Sequence, residues 1–160
     1  MTALRPMNET EYAAWLARAV PAYAADKVAS GQWSPDDSLA LSAREFQDLL
    51  PQGLATPDNH LYTVVDERGA NVGVLWFAVK ARLAARIAYV YDVEIDPGQQ
   101  RKGHAYRAFV ALEDEVRRLG LAGIALHVFG HNTGARALYA KLGFEPTNLN
   151  LYKAVGPAGA

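Results

Sequence analysis

Two acidic side chains interrupt a stretch that otherwise has the composition of a buried β-strand. Val90, Val93 and Ile95 are β-branched residues that suit a pleated, buried surface, and Asp92 and Glu94 alternate with them. Because successive side chains of a strand point to opposite faces, the two acids should share one face and Val93 and Ile95 the other. A carboxylate on a central strand needs a partner or a function. We therefore weigh a proton-accepting role for these acids against a structural contact with Arg86, Arg107 or a helix cap.

A polar loop joins this strand to a long helix. Pro97 lacks the N–H that a central strand needs, and a helical period of apolar residues begins after Gly103. The first turn of a helix carries unpaired N–H groups and partial positive charge, and the small residues Gly103 and Ala105 allow a ligand to approach the backbone. Arg101 and Lys102 lie at the same end, where cations oppose the helix dipole unless an anion joins them. The pattern predicts a phosphate or diphosphate site; the alternative is a solvated basic loop.

A second block of residues has the pattern of a strand, a capped turn and a short helix. The strand spans residues 121–128, Asn132 has the residue type of a helix N-cap, and the helix ends at Gly143. Tyr139 lies at the edge of the apolar stripe of this helix, so a core position and a position facing a ligand are both compatible with the pattern. Arg136, in the first turn, is either a surface residue or an anion contact.

These two blocks resemble the motifs of a known superfamily. Residues 100–105 fit the Gln/Arg-x-x-Gly-x-Gly/Ala signature of the GNAT superfamily of acyl-CoA-dependent N-acetyltransferases, and residues 126–144 are similar to its strand, Asn and Ala-x-x-Leu-Tyr-x-x-x-Gly-Phe pattern. The resemblance covers residues 60–154 best. It implies an α/β (α+β) fold with a mixed, mostly antiparallel sheet of about six or seven strands and about four helices. It also implies transfer of an acetyl group from acetyl-CoA to a primary amine by direct attack in a ternary complex.

The resemblance implies a role for each of the singled-out residues. An alkylamine, with a pKa of about 10.4, needs a base before it can attack, and we favour Glu94 for this role with Asp92 second. Tyr139 matches the tyrosine that would face the departing thiolate, by a hydrogen bond rather than by full proton transfer. Asn132 would cap its helix or bind the pantetheine arm. The residues expected to bind acetyl-CoA are Val93, Ile95, Gln100, Arg101, Lys102, Gly103, His104, Ala105, Asn132 and Arg136.

Composition and charge exclude several classes of protein. The chain has 160 residues, enough for one domain with its own core, and 51% of them are hydrophobic. A net charge of −1 gives no basic excess for nucleic acid, and the absence of cysteine excludes disulfides, thiolate metal sites and a cysteine nucleophile. We expect no metal. No apolar run approaches the roughly 20 residues of a membrane span and no signal segment is apparent, so the expected location is the cytoplasm.

The order of predicted elements supports a single acetyltransferase domain over residues 1–155, followed by a disordered tail at 156–160. Asn8 and Glu11 form a capping-box pattern at the start of the first helix, which Pro21 should kink or end. Two antiparallel hairpins follow a second helix that is capped by Ser34. Residues 144–155 are expected to form one or two final strands.

The acceptor and the assembly stay open at this point. A small-molecule or peptide amine fits the resemblance, without nucleic acid or membrane, and dimerisation is common on the fold that it implies. The first alternative is a non-catalytic acyl-CoA-binding or sensing module, which should lack the acids and the tyrosine. A Rossmann-type nucleotide-binding protein is the second, but it requires Gly-x-Gly-x-x-Gly after the first strand, and the loop here lies late and lacks the third glycine.

Overall fold

The fold is built on one sheet whose strands follow each other in chain order. The computed structural model describes residues 1–159, so Ala160, the last residue of the predicted tail, lies outside the described part. Within that part the sheet has five strands in the order β1 to β5, all antiparallel except the last pair, and four α-helices accompany it. The strands are β1 Ala3–Pro6, β2 Asn59–Val65, β3 Asn71–Arg82, β4 Ala85–Ile95 and β5 Ile124–Leu126. The helices are α1 Glu9–Ala29, α2 Pro35–Leu49, α3 His104–Arg118 and α4 Thr133–Lys141.

The two N-terminal helices begin where their capping residues predict. Asn8 and Glu11 form the expected capping box, and the side chain of Ser34 accepts a hydrogen bond from the backbone of α2. Pro21 lies inside α1 and does not end it, because the helix runs without interruption from Glu9 to Ala29. Tertiary packing explains this continuity, since the flanking residues Ala19 and Ala24 are both buried.

The sheet separates two apolar cores. One core packs α3 against residues such as Leu75, Phe77 and Val90, and the other packs α1 and α2 against Trp76. Side chains of β3 alternate between these cores, which is the period-two pattern of a strand covered on both faces.

A bulge in β4 changes which side chains share a face. Trp76 of β3 pairs with Asp92 and Phe77 pairs with Val90, so Tyr91 is an extra residue without a partner on β3. Tyr91 stacks on Trp76 with ring centroids 4.5 Å apart, on the same side of the sheet as α1. The bulge therefore places Tyr91 and Asp92 next to each other on the face covered by α1 and α2.

The last two strands separate soon after they meet. β4 and β5 pair only through Ala88, Val90 and the residue between them, opposite Ile124–Leu126. Beyond Val90, the edge of β4 that faces away from β3 continues to Ile95 without a neighbouring strand in the described chain. This separation opens a cleft beside the acidic half of β4.

The prediction of about six or seven strands is wrong for the described residues, because residues 144–155 form no strand. A strand needs a hydrogen-bonded neighbour, and in residues 1–159 no hydrogen bond joins residues 145–159 to the rest of the chain. The alternating pattern of this segment is present in the sequence, but the segment is unpaired in the described structure. Within the described range, no helix is both long and apolar enough to cross a bilayer.

Candidate active site

The loop between β4 and α3 bends through two left-handed residues. Arg101 has φ of 62° and Gly103 has φ of 85°, and Gly103 is the N-cap of α3. The left-handed backbone favours glycine at this position, and a Cβ atom there would lie 2.5 Å from Nη1 of Arg107, so that a side chain would have to displace this guanidinium. This bend directs the first turn of α3 towards the open edge of β4.

The N-terminus of α3 has no capping side chain. Among residues 1–159, no protein acceptor binds the backbone N–H groups of residues 101–105, whereas the N–H of Arg107 already bonds Gly103 O at 3.1 Å. The first turn also contains no acidic residue, and Arg101 and Lys102 precede it directly. Unpaired donors, the helix dipole and two cations together favour an anionic ligand at this position.

Side-chain hydrogen bonds from the loop and from the first turns of α3 hold the loop in place. Gln100 Nε2 donates to Ile95 O at 3.0 Å, and Arg107 Nη2 donates to Lys102 O at 2.9 Å. His104 is buried and its Nδ1 lies 3.0 Å from Oγ1 of Thr2 in the segment before β1. Nε2 of Gln100 and Nδ1 of His104 are thus engaged by the protein, and His104 is buried, whereas Gln100 is exposed.

Asp92 is the more strongly perturbed of the two acids on β4. Its Oδ2 accepts a hydrogen bond of 2.7 Å from Nε1 of Trp15, a fully buried residue of α1. Burial raises the pKa of Asp92 to about 6, against the lowering effect of the Trp15 hydrogen bond, and the nearby charge of Glu94 raises it further. A carboxyl group with this pKa is mostly ionised at pH 7 and is still a better proton acceptor than an ordinary aspartate.

Glu94 lies on the same face and has an ion-pair partner. Its Oε1 is 3.5 Å from Nε of Arg18, three residues beyond Trp15 in α1, and about a third of its side chain is exposed. The structure therefore places both acids towards α1, as their spacing predicts, and gives one of them the arginine partner that the structural alternative required. Arg86 instead lies 3.5 Å from Asp58.

Tyr139 of α4 is half-buried against two aromatic rings. Its ring centroid is 5.5 Å from that of Phe109 and 5.6 Å from that of Phe144. Burial, and to a smaller extent the charge of Asp92, raises the pKa of Tyr139 to about 12. Tyr139 is therefore a core residue that packs on the α3 side of the sheet.

The two remaining predicted residues lie at the start of α4. Oδ1 of Asn132 accepts a hydrogen bond of 3.2 Å from the backbone of Ala135, so Asn132 caps the helix. Nη1 of Arg136 donates to Gly130 O at 3.3 Å, and both side chains are exposed. Neither makes a contact with the loop before α3. Across the described residues, no group of histidine and acidic side chains is arranged to hold a metal ion.

Sequence reasoning missed Trp15 and Arg18 as neighbours of the acids. Trp15 was recognisable only as part of the apolar stripe of α1, although a buried indole N–H normally requires an acceptor. The bulge at Tyr91 had no signal in the sequence, because neither glycine nor proline marks it. Apart from burial itself, the hydrogen bond from Trp15 has the largest effect on the pKa of Asp92, and Arg18 has a smaller one.

Three features together are typical of an acyltransferase: two neighbouring strands that separate, a bulged strand that carries two acids, and a basic helix start without a capping side chain. The chain belongs to the acetyltransferase (GNAT) family, whose family model matches residues 22–144. This confirms the resemblance, the fold class and the assignment as a GNAT-type N-acetyltransferase.

Individual relatives agree with the family. The uncharacterised N-acetyltransferase YycN of Bacillus subtilis is 37% identical over 150 residues, which are 94% of this chain and 96% of that protein. A crystal structure of YycN covers 98% of this chain and 100% of its own with a TM-score of 0.93. Mycothiol acetyltransferase of Nocardia farcinica is 31% identical over 134 residues, 80% of this chain and 40% of that protein. AAC(6')-Iy, solved with the bisubstrate analogue CoA-S-monomethyl-acetylneamine, shares the fold with a TM-score of 0.60 at 16% identity, over 98% of this chain and 99% of that one.

Proposed function

We propose that the protein transfers the acetyl group of acetyl-CoA to a primary amine by direct attack in a ternary complex. One observation carries this proposal: an uncapped helix start with no protein acceptor for its N–H groups lies beside the open edge of a strand that carries Asp92. The uncapped helix start suits the diphosphate of acetyl-CoA, and the open strand edge beside Asp92 suits the thioester end of the same molecule.

The donor is expected to lie along the free edge of β4. Its diphosphate would accept hydrogen bonds from the backbone N–H groups of residues 101–105, with Arg101 and Lys102 offsetting its charge. Its pantetheine arm would pair with the backbone of residues 93–95 in the manner of an added strand. Because the Ile95 carbonyl already accepts from Gln100, the N–H groups of this edge are the more available partners. Asn132 and Arg136 remain candidates for contacts with acetyl-CoA at the periphery of this proposed site.

Asp92 is the base that we now favour over Glu94. Proton transfer from an alkylammonium of pKa about 10.4 to an ordinary aspartate is uphill by about 9 kcal/mol. With the pKa of Asp92 at about 6, the same transfer is uphill by about 6 kcal/mol, so burial removes about 3 kcal/mol of the deficit. Because the transfer is still uphill, the amine must bind in its neutral form or lose its proton as it attacks. Glu94, which is paired with Arg18, is better placed to orient the acceptor.

Tyr139 is proposed to donate a hydrogen bond to the departing thiolate. With the pKa of Tyr139 raised to about 12 and a thiol near 8.5, full proton transfer would be uphill by about 5 kcal/mol. A hydrogen bond to the developing charge has no such cost, and it strengthens as charge accumulates on sulfur.

The acceptor is a small-molecule or peptide amine. The amine-bearing group of the AAC(6')-Iy analogue and the name of mycothiol acetyltransferase describe those proteins. They support beginning an acceptor screen with small-molecule amines such as neamine, followed by amino acids, polyamines and peptide N-termini.

The experiment that tests the proposal measures CoA release from acetyl-CoA across a panel of amines, together with binding of acetyl-CoA by calorimetry. We expect Gly103→Glu to abolish binding, because it strains the left-handed bend, displaces the Arg107 guanidinium and adds a negative charge at the N-terminus of α3, where the diphosphate is proposed to bind. Gly98→Glu is the matched control, since no atom lies within 4 Å of a Cβ atom at Gly98. Failure of acetyl-CoA to bind the wild-type chain, or equal binding by both variants, would refute the proposed donor site. Binding without turnover on any amine would favour the non-catalytic acyl-CoA-binding module.

A further inference from the structure

A row of aromatic rings runs along the face of the sheet that α1 and α2 cover. Six side chains follow one another in it, with ring centroids of neighbours 4.5 to 5.9 Å apart: Trp33, Tyr23, Phe46, Trp76, Tyr91 and Tyr89. The two in the middle, Phe46 and Trp76, are buried, and the other four are half-buried. This aromatic row therefore keeps part of four rings accessible, which is typical of a surface that binds a planar ligand.

The aromatic row passes beside the proposed base. Tyr91 directly precedes Asp92 in the chain, and the bulge in β4 places both on this face of the sheet. Trp15, the hydrogen-bond donor to Asp92, packs edge-on against Trp76 with ring centroids 5.5 Å apart. A molecule that brings an amine to Asp92 therefore has the aromatic row next to it, and the rest of its body can rest on the rings.

The β4 end of the aromatic row carries the ammonium group of Lys80. Nζ of Lys80 lies 4.6 Å from the ring centroid of Tyr89 and 4.7 Å from that of Tyr91. The side chain of Lys80 is exposed, and no acid among residues 1–159 forms an ion pair with it. An ammonium group that lies on apolar rings and lacks an acidic partner favours a ligand with an anionic group.

Lys27 has the same arrangement at the other end of the row. Its Nζ lies 5.5 Å from the ring centroid of Tyr23 and 5.3 Å from that of Trp33, and it donates a hydrogen bond of 3.0 Å to Oε1 of Gln32. In the part of the chain that the structure describes, Lys27 also has no ion pair with an acid. The ring faces that would attract a positively charged ligand are thus already occupied by Lys27 and Lys80. A second positive charge on a ligand would be repelled there.

We propose that the aromatic row binds the acceptor, and that the acceptor is a primary amine joined through a planar apolar body to an anionic group such as a carboxylate. This inference rests on the proposed function, because it places the amine at Asp92, the planar body on Tyr91 and the anionic group at Lys80. In the transfer, the amine nitrogen forms the amide bond as the carbon–sulfur bond of the thioester breaks. The amine gives its proton to Asp92, and CoA leaves as the thiolate.

The charges at the two ends of the row exclude two other kinds of amine. A polyamine would bring its second positive charge to Lys80. An α-amino acid carries its carboxylate next to its amine, so an amine at Asp92 would bring two carboxylates together. The acceptor therefore separates its two charges by the length of its planar body.

The first test measures binding of three amines that share a benzene ring and an aminomethyl group and differ only in the opposite substituent. They are para-(aminomethyl)benzoate, benzylamine and para-xylylenediamine, and each is titrated by calorimetry into the full chain saturated with CoA. We expect the benzoate to bind about three- to tenfold more tightly than benzylamine, and the diamine to bind most weakly.

Variants of Lys80 assign this preference to its ammonium group. Lys80→Gln should bind the benzoate and benzylamine equally, and Lys80→Glu should bind the diamine most tightly. Lys141→Gln is the matched control, because Nζ of Lys141 lies 5.0 Å from the ring centroid of Tyr106, outside the aromatic row, and its loss should leave the order of affinities unchanged. A benzoate that binds no more tightly than benzylamine, or a preference that persists in Lys80→Gln, would overturn the proposal.

The second test separates this inference from the proposed function. CoA release from acetyl-CoA is measured with the same three amines, and kcat/KM should follow the order of their affinities. Transfer to benzylamine and to the diamine at least as readily as to the benzoate would support the acetyltransferase activity and overturn the inference. Charge-dependent binding at Lys80 without transfer to any amine would support the ligand chemistry of the aromatic row and count against the proposed function.

Discussion

The hydrogen bond from Trp15 to Asp92 should set the pH at which the enzyme loses activity. Trp15 Nε1 donates to Asp92 Oδ2 at 2.7 Å and opposes the effect of burial on the pKa of Asp92. Trp15→Phe keeps an aromatic ring in a position that packs on Phe46 and Trp76, but it removes the donor. The charged form of Asp92 then loses its stabilising partner, and its pKa must rise.

The size of the change follows from the bond. A hydrogen bond to a charged group contributes about 1.5–3 kcal/mol, which corresponds to about one to two pKa units. The pKa of Asp92 would therefore rise from about 6 to about 7–8. At pH 7 the ionised fraction falls from about nine tenths to between one half and one tenth, so kcat/KM should fall by about two- to tenfold. Near pH 9 the variant and the wild type should converge.

The assay is the pH dependence of kcat/KM from pH 5 to 9, followed by CoA release. Trp76→Phe is the matched control, because the indole N–H of Trp76 donates to Asn59 Oδ1 at 2.9 Å and not to an acid. It removes a buried donor of the same kind and should leave the acidic limb of the profile in place. An acidic limb that does not move in Trp15→Phe, or moves equally in both variants, would refute Asp92 as the base.

Three further predictions concern single side chains. Tyr139→Phe should lower kcat with little change in the affinity for acetyl-CoA by calorimetry; an unchanged kcat would exclude the hydrogen bond to the thiolate. Asp92→Asn should abolish turnover. It should nevertheless raise the free energy of unfolding at pH 8 by about 2–3 kcal/mol. The reason is that the pKa of Asp92 is about 6 in the folded state and about 4 in the unfolded state, so ionisation of Asp92 destabilises the folded state as pH rises from about 4 to 6. The gain should vanish below pH 4 in urea denaturation. Glu11 should show the opposite effect of ionisation on stability, because its ion pair with Arg5 lowers its pKa to about 2. Glu11→Gln should lower the free energy of unfolding by about 2 kcal/mol at pH 7 and by little at pH 2. Glu9→Gln, the control, should change the free energy of unfolding little at either pH.

The strand, loop and helix around the proposed donor site were predictable because each depends on local chemistry. Pro97 after a β-branched run, a left-handed glycine at position 103 and a helical period after it specify that geometry without reference to the remainder of the chain. The capping pair of Asn8 and Glu11 and the cap at Asn132 were predictable for the same reason.

What could not be predicted depends on contacts between distant segments. Trp15 and Asp92 are 77 positions apart, and it is the burial of Asp92 near α1, opposed by the hydrogen bond from Trp15, that raises the pKa of this acid. Spacing alone treats the two acids as equivalent, so the sequence could not distinguish them on this ground. The predicted final strands at residues 144–155 are absent for a related reason: alternation predicts a strand only where a neighbouring edge pairs with it, and no hydrogen bond joins residues 145–159 to the rest of the described chain.

The short contact between β4 and β5 implies that the cleft wall opens independently of the main sheet. Three register pairs hold β5, whereas ten join β3 to β4, so the free energy of local opening should be far lower at β5. Amide hydrogens of residues 124–126 should exchange with deuterium sooner than those of β3. A donor bound between the two strands would then slow exchange on both sides of the gap, which makes its arrival measurable even before an acceptor is known.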